Sequence, residues 1–185
     1  GLTSISLPST LTSLGDYCFS GCSSLTNISL PSNLTSLGDD CFYGCSSLTN
    51  ISLPSNLTSL GVYCFGLCSS LTSIDLPSSL TSLEEGCFYK CSALKSISLP
   101  LGITSLGVHC FEGCSSLTSI ELPSALTTIG EYCFQNCSLL TSILCLAVEP
   151  PRSVICTSYH TFPHEHNNNT ASLYVPKESI EKYKQ

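Results

Sequence analysis

The hydrophobic and polar positions of the chain recur with a fixed period of 23 residues. The pattern L-x-x-I-x-L-P-x-x-L-x-x-L-G-x-x-C-F-x-x-C-S-S occurs six times with few departures, and a seventh copy begins at Leu140. Cysteines stand at positions 18, 41, 64, 87, 110 and 133, and again four residues later in each copy. Twelve cysteines in one register indicate that the chain is built from tandem copies of a single unit.

Each unit combines a short strand pattern with a compact turn-forming segment. In residues 25–30 the last apolar positions alternate with polar ones, as a half-buried strand requires. Pro31 lacks a backbone donor and ends that strand. Residues 39–45 are too few for a long helix but fit one or two helical turns, which would place Cys41 and Cys45 on one face. One unit buries too little by itself, so neighbouring units must stack their apolar columns.

A period of 20 to 29 residues around an L-x-x-I-x-L core is typical of a leucine-rich repeat solenoid. The sequence therefore predicts an α/β repeat solenoid, a right-handed superhelix with one short parallel strand per 23-residue coil. Residues 1–143 are predicted to form the array, with six full repeats and a seventh strand. Residues 144–185 are predicted to form a C-terminal cap, which includes a short helix over residues 177–184 with Ile180 and Tyr183 facing inward.

Composition narrows the possible function classes. Of the 185 residues only 10% are charged, and six Lys and Arg face 13 Asp and Glu for a net charge of −7. This acidic balance argues against binding to nucleic acid and to anionic membrane surfaces. No apolar run approaches the ~20 residues that a membrane span needs, so no membrane insertion is expected in this segment. The hydrolase, phosphate-loop and metalloprotease motifs are missing, which predicts a non-catalytic protein without cofactors.

The 14 cysteines allow three interpretations. Two cysteines four residues apart on one helical face are poorly placed for a disulfide, and equivalent cysteines of adjacent coils lie parallel. A zinc site needs four ligands that converge tetrahedrally rather than form a line. Buried free thiols are therefore the favoured interpretation, since cysteine packs well as a small apolar residue.

A second candidate metal site lies near the C-terminus. His160, His164 and His166 cluster around Glu165 and could hold a metal ion. Their spacing matches none of the familiar zinc patterns, so a polar surface loop is favoured and no metal site is assigned. Whether the three histidines bind a metal stays open at this point.

The repeat resembles a known family. Residues 34–48, L-T-S-L-G-D-D-C-F-Y-G-C-S-S-L, are similar to the BspA-like (Treponema pallidum type) leucine-rich repeats, with Cys where that family commonly has Ala before the Phe. The ending, with Pro150-Pro151 and then L-Y-V-P at residues 173–176, is similar to the closing segment of bacterial members, notably from Bacteroidetes. The resemblance implies a secreted or surface-attached protein used in adhesion, whose relatives bind host matrix proteins or other cells. It implies no catalytic residues.

We therefore expect a non-catalytic cell-surface or secreted protein that mediates protein or glycan binding and adhesion. Its partner would be a host or neighbouring-cell surface protein or glycan, bound by a monomeric array. The alternatives are a structural spacer that displays another domain and an intracellular protein-interaction scaffold. A surface that orders water through a row of threonines is a further alternative, weakened by Lys95 in that row.

Candidate partner-binding residues follow from the strand alternation, because side chains that point away from the core lie on one surface. They are Asn27, Asn50, Asp75, Lys95 and Glu121. This surface has no aromatic anchor of the kind that dominates tight interfaces, so we expect weak contacts strengthened by many copies. The tyrosines at positions 17, 43, 63, 89 and 132 are predicted on the opposite side, which is the alternative site for a tight partner.

Overall fold

The computed structural model of the protein describes residues 1–153 and 171–184. His160, His164 and His166 lie outside the described residues. The strands are β1 (Ser13–Leu14), β2 (Ser36–Leu37), β3 (Ser59–Leu60), β4 (Ser82–Leu83), β5 (Ser105–Leu106), β6 (Ser119–Leu122), β7 (Thr128–Ile129), β8 (Ser142–Cys145), β9 (Arg152–Ser153) and β10 (Ser172–Tyr174). Every strand pair in these ranges is parallel, which confirms the predicted solenoid. We number the coils from coil 1 (residues 2–24) to coil 6 (residues 117–139).

The predicted strand of each unit forms what we call the first ladder. In the early coils it consists of single bridges, Ser6–Ser29, Ser52–Asp75 and Asp75–Ser98. It lengthens to four residues in β6 and β8, and β10 pairs with β8 to extend it. Along β6 exposed and buried residues alternate, so the apolar side chains enter the core and the polar ones form an outer surface.

A second ladder, which the sequence pattern did not predict, runs along the L-x-x-L-G stretch of each coil. It comprises the sheets β1-β2-β3 and β4-β5-β7-β9. Each strand from β1 to β5, and β7, buries the second of its two residues and turns the first, a serine or threonine, outward. The backbone N–H of Thr35 donates to the Thr12 carbonyl at 2.8 Å, which shows how the coils join here.

The second ladder is interrupted between β3 and β4, where Glu84 replaces the turn glycine of the other coils. A Cβ on Gly61 would lie 2.4 Å from the Gly38 carbonyl carbon, and a Cβ on Gly107 would lie 2.5 Å from the carbonyl carbon of Glu84. Two coils can approach this closely only when the later coil has a residue without Cβ at the turn glycine position. The Cβ of Glu84 therefore holds coils 3 and 4 apart at this point and separates the two sheets.

The turn segments do not form helices, so the helical turn predicted for residues 39–45 is wrong. Residues with positive φ stand directly before each cysteine, at two positions in every coil: Tyr17, Gly21, Asp40, Gly44, Tyr63, Leu67, Gly86, Lys90, His109, Gly113, Tyr132 and Asn136. A right-handed helix requires consecutive negative φ values. The backbone instead bonds to the next coil, as in Phe42 N–H to the Cys64 carbonyl at 2.8 Å. We call these segments, from the turn glycine position to the second cysteine, the turn side.

The core consists of continuous columns of Leu, Ile, Phe and Cys. Stacked phenylalanine rings connect coils 1 to 6, with centroids 5.3 to 5.8 Å apart. The predicted burial of the cysteines is confirmed from Cys41 to Cys137, whereas Cys18 is exposed and Cys22 is half-buried. The thirteen cysteines within the described ranges are free thiols.

The second cysteine of each coil, from coil 2 to coil 6, makes a polar contact that explains why cysteine stands at this position. The thiol of Cys68 donates to the Phe42 carbonyl of the preceding coil at 3.2 Å, and Cys45, Cys91, Cys114 and Cys137 repeat the contact at 3.1 to 3.2 Å. The Phe42 carbonyl already accepts the backbone N–H of Cys45 at 3.1 Å, so the thiol of Cys68 supplies a second donor, which an apolar residue of similar size would not provide.

The C-terminal segment continues both ladders. β9 pairs with β7 and β10 pairs with β8, followed by 3-10 helices at Lys177–Ser179 and Lys182–Lys184 in place of the predicted single helix. Tyr183 packs against the core, and its hydroxyl donates to the Ala147 carbonyl at 2.8 Å. Ile180 is 40% exposed, so its predicted inward position is wrong. The limits of the array and the cap remain a prediction.

Candidate binding surface

The outward side chains of the first ladder form what we call the strand surface. Asn27, Asn50, Asp75, Lys95 and Glu121 lie on it, one on each of coils 2 to 6, and all five are exposed. The amides of Asn27 and Asn50 donate to the adjacent Thr26 and Thr49 hydroxyls at 3.4 and 3.2 Å. The structure thus brings the candidate residues to one side of the solenoid, where they point into solvent.

The strand surface has little capacity for acid–base chemistry. Asp75 and Glu121 occupy equivalent positions two coils apart, with Ser98 on the coil between them. At a strand spacing of ~4.8 Å their backbones are roughly 10 Å apart, too far for the two carboxylates to share one proton. The surface offers hydroxyls and amides for hydrogen bonding and isolated charges for orientation.

Aromatic rings form a second surface on the turn side, which we call the aromatic row. It contains Tyr43, Tyr63, Tyr89, His109 and Tyr132, one from each of coils 2 to 6. Successive ring centroids lie 6.3, 5.6, 6.4 and 5.0 Å apart, with edge-on contacts up to His109 and a stacked contact from His109 to Tyr132. All five side chains are half-buried, so each ring keeps a part open to solvent.

Glycines make room for the row. A Cβ on Gly66 would lie 2.8 Å from Cδ2 of Tyr43, and a Cβ on Gly86 would lie 2.2 Å from Cε1 of Tyr63. Tyr43 and Tyr63 therefore each lie across a glycine of the next coil. The sequence predicts these tyrosines on this side of the solenoid, but it does not predict that their rings touch. The sequence does contain a signal for this contact, because Tyr and Gly exchange places between coils 3 and 4. In coil 3 Tyr63 precedes the first cysteine and Gly66 follows the phenylalanine, whereas in coil 4 Gly86 and Tyr89 occupy these two positions.

Charged groups border the aromatic row. The Tyr63 hydroxyl donates to Glu85 Oε1 at 3.3 Å, and Glu112 Oε2 is hydrogen-bonded to His109 Nδ1. Burial, followed by the nearby Glu85 charge, raises the pKa of Tyr63 to about 12. The Lys90 ammonium lies 4.9 Å from the centroid of the Tyr89 ring, a cation–π distance.

Within residues 1–153 and 171–184, no three His, Cys, Asp or Glu side chains are grouped so that they could hold a metal ion. In the same ranges no helix has the length and apolar character that crossing a membrane requires.

Comparison with known proteins identifies the family to which these repeats belong. The sequence model of the family described as the BspA type leucine-rich repeat region matches this chain with six copies, over residues 1–100 and 58–183. The chain belongs to the BspA-type leucine-rich repeat family. Repeats of this kind suggest a role in protein interaction and generally serve as non-catalytic binding scaffolds. No curated protein matches the chain significantly.

Three solved structures of bacterial proteins show the same fold. A leucine-rich repeat protein from Bacteroides ovatus is 34% identical with a TM-score of 0.74, over 78% of this chain and 39% of its own. The T. pallidum leucine-rich repeat protein is 30% identical with a TM-score of 0.73, over 76% and 68%. A leucine-rich cell surface protein from Faecalibacterium prausnitzii is 26% identical with a TM-score of 0.63, over 78% and 48%. The BspA-type chain thus spans about 39% of the length of the B. ovatus protein.

Proposed function

We propose that this BspA-type array is a non-catalytic, secreted or surface-attached adhesion module that binds a protein or glycan of a host or neighbouring cell. The observation that carries the proposal is the strand surface, on which successive coils expose small polar side chains that the core does not use. The related F. prausnitzii protein is described as a cell surface protein, which supports the localisation.

The chemistry of the strand surface determines the kind of contact. Asn, Ser and Thr side chains donate and accept hydrogen bonds, which suits both glycan hydroxyls and polar protein surfaces. Asp75, Lys95 and Glu121 would orient the partner, and Asn27 and Asn50 would extend the contact to the early coils. Without an aromatic or arginine anchor, a single array would bind in the micromolar range or weaker. Display of many copies would raise the apparent affinity.

A pull-down with the whole 185-residue chain against host matrix proteins and surface glycans tests the proposal. The variant pair Asp75→Lys and Glu121→Lys reverses the acidic charges on the strand surface. The control pair Glu178→Lys and Glu181→Lys makes the same change in charge at exposed C-terminal positions. We expect the first pair to lose at least tenfold in captured partner and the control pair to bind normally. Equal retention by both pairs would reject the strand surface, and no captured partner would favour the spacer function.

A further inference from the structure

The charge of the repeats is concentrated on the turn side. Residues 1–143 contain nine acidic residues and two lysines. Seven of the nine lie on the turn side, at positions 16, 39, 40, 84, 85, 112 and 131, and two lie on the strand surface. Lys90 is the one lysine of the turn side in these coils. The aromatic row therefore lies in a negative field that attracts cations and repels anions.

The aromatic row itself offers a second attraction for cations. Aromatic faces bind ammonium and guanidinium groups, and nearby carboxylates add to that attraction. The chain provides an internal example, because the Lys90 ammonium already lies over the Tyr89 ring. Glu85 and Glu112 lie beside the neighbouring rings, at Tyr63 and His109.

The spacing of the rings indicates the shape of the ligand. Side chains on one side of an extended polypeptide recur about every 6.6 Å, at ~3.3 Å per residue. The first three ring-to-ring steps of the row are 6.3, 5.6 and 6.4 Å. An extended segment with basic residues at alternate positions can therefore place one cation near each successive ring.

We propose that the aromatic row is a docking site for an extended, lysine- or arginine-rich segment of another polypeptide. The site is separate from the strand surface, so it stands or falls independently of the proposed adhesion function. A partner with clustered basic residues matches both the carboxylates and the rings. The strand surface offers only the separate carboxylates of Asp75 and Glu121, with Lys95 between their coils, and no aromatic ring beside them.

Fluorescence anisotropy with a labelled decapeptide of alternating Lys and Ser tests the proposal, with a Gln-Ser decapeptide as the uncharged probe. The variant Tyr63→Leu with Tyr89→Leu removes two aromatic faces and keeps apolar bulk. We expect roughly 5- to 30-fold weaker binding of the Lys-Ser peptide, from the strength of exposed cation–π contacts. Raising the salt concentration should weaken wild-type binding further.

A charge variant keeps the test independent of any loss of packing. Glu85→Gln with Glu112→Gln retains all rings and should weaken binding roughly 3- to 10-fold. Glu178→Gln with Glu181→Gln removes the same charge at exposed sites outside the row and should leave binding within about twofold. The proposal is overturned if wild-type protein binds neither peptide, if the Gln-Ser peptide binds as well as the Lys-Ser peptide, or if all variants lose affinity equally.

Discussion

Backbone hydrogen bonds between coils are shorter on the turn side than along the first ladder of coils 1 to 6, and the first-ladder bonds shorten only at the C-terminal end, to 3.0 Å from Thr141 to Thr118 and 2.9 Å from Ser172 to Thr141. The amide of Lys95 reaches the Thr72 carbonyl at 3.2 Å, and the amide of Thr118 reaches the Lys95 carbonyl at 3.4 Å. On the turn side, the amide of Leu67 reaches the Tyr89 carbonyl at 2.7 Å, and the other backbone bonds between coils there are 2.6 to 2.9 Å. The strand pattern is the clearest feature of the sequence, yet the shorter of these backbone hydrogen bonds between coils lie on the turn side.

The two sides also differ in how their chemistry repeats. The strand surface shows nearly the same hydroxyl and amide residues on each coil, whereas the turn side varies among tyrosine, histidine, glycine and carboxylates. Both rest on the same columns of Phe and Cys. A shared core thus supports one uniform surface and one varied surface, and each can carry a different partner.

The largest expected effect is loss of the shared core at alkaline pH. Burial raises the pKa of Cys137 to about 12 from its ordinary value of 9.0, and it raises the pKa of Cys64, Cys68, Cys87, Cys91, Cys110 and Cys114 further. These thiols stay protonated in the folded chain but ionise in the unfolded chain above pH 9. The stabilisation that these protonated thiols contribute is therefore fully present below pH 9, and it is lost as the pH rises towards their pKa values in the folded chain.

Each such thiol loses about 1.4 kcal/mol of stabilisation per pH unit above 9. For seven thiols the loss at pH 10 is on the order of 10 kcal/mol, which is comparable with the whole stability of a domain. Denaturant titrations from pH 7 to 11, monitored by circular dichroism, should show unfolding near pH 10. A Cys18→Ala variant should follow the same curve, because Cys18 is exposed. A free energy of unfolding that stays constant to pH 11 would contradict this prediction.

Two neighbouring residues allow the contributions of the core and of the aromatic row to stability to be measured separately. Phe88 is fully buried, and Tyr89 is half-buried at the surface. Phe88→Ala should lower the free energy of unfolding by about 3–5 kcal/mol because it leaves a cavity in the ring stack. Tyr89→Ala should lower it by roughly 1 kcal/mol, about the worth of its ring contacts. Urea unfolding measures both, and equal losses would show that the aromatic row holds the coils as strongly as the core.

A pair of glycines tests the contact between Tyr63 and its neighbouring coil. Gly86 and Gly21 both have positive φ, but only Gly86 lies under a ring, since a Cβ on Gly21 would meet nothing within 4 Å. Alanine at either position incurs the strain of a left-handed residue, about 1–2 kcal/mol. Gly86→Ala should lose a further 1–3 kcal/mol or so from overpacking against Tyr63. Thermal unfolding of both variants measures the difference, and equal destabilisation would contradict the contact.

The smallest effect concerns hydrogen exchange. Amides of the turn side, such as Phe65 and Leu67, should exchange more slowly than the amides of Thr72 and Lys95 on the first ladder, because their bonds are shorter and open less readily. Native-state exchange followed by NMR measures each amide separately. Faster exchange on the turn side would reverse the comparison between the two sides.

The sequence could predict the features that repeat. The 23-residue period and its apolar positions predicted parallel coils, buried cysteines and the exposure of Asp75, Lys95 and Glu121, because strand alternation and burial follow from local pattern. Two-residue strands such as β2 and β3 are too short to show alternation, so the second ladder was missed. The helical prediction for the turn segments did not use the glycines at positions 21, 44 and 113, which favour left-handed turns, and Leu67 and Lys90 adopt positive φ without any such signal.

The aromatic row could not be derived from one coil. Tyr43 follows the phenylalanine of its coil, whereas Tyr63 precedes the first cysteine of the next. Their contact depends on the stacking of coil 3 on coil 2 and on the space left by Gly66. Tertiary placement of this kind requires the three-dimensional stacking of the coils rather than the pattern along the chain.

We propose that one core carries two separate binding surfaces, the strand surface and the aromatic row. A crossed binding measurement tests it most directly, with the Asp75→Lys and Glu121→Lys pair and the Tyr63→Leu and Tyr89→Leu pair each assayed against two ligands. The ligands are the partner captured in the pull-down and the Lys-Ser decapeptide. We expect the first pair to lose the captured partner and keep the peptide, and the second pair to do the reverse. Loss of both ligands in both folded variants would show a single surface and contradict the claim.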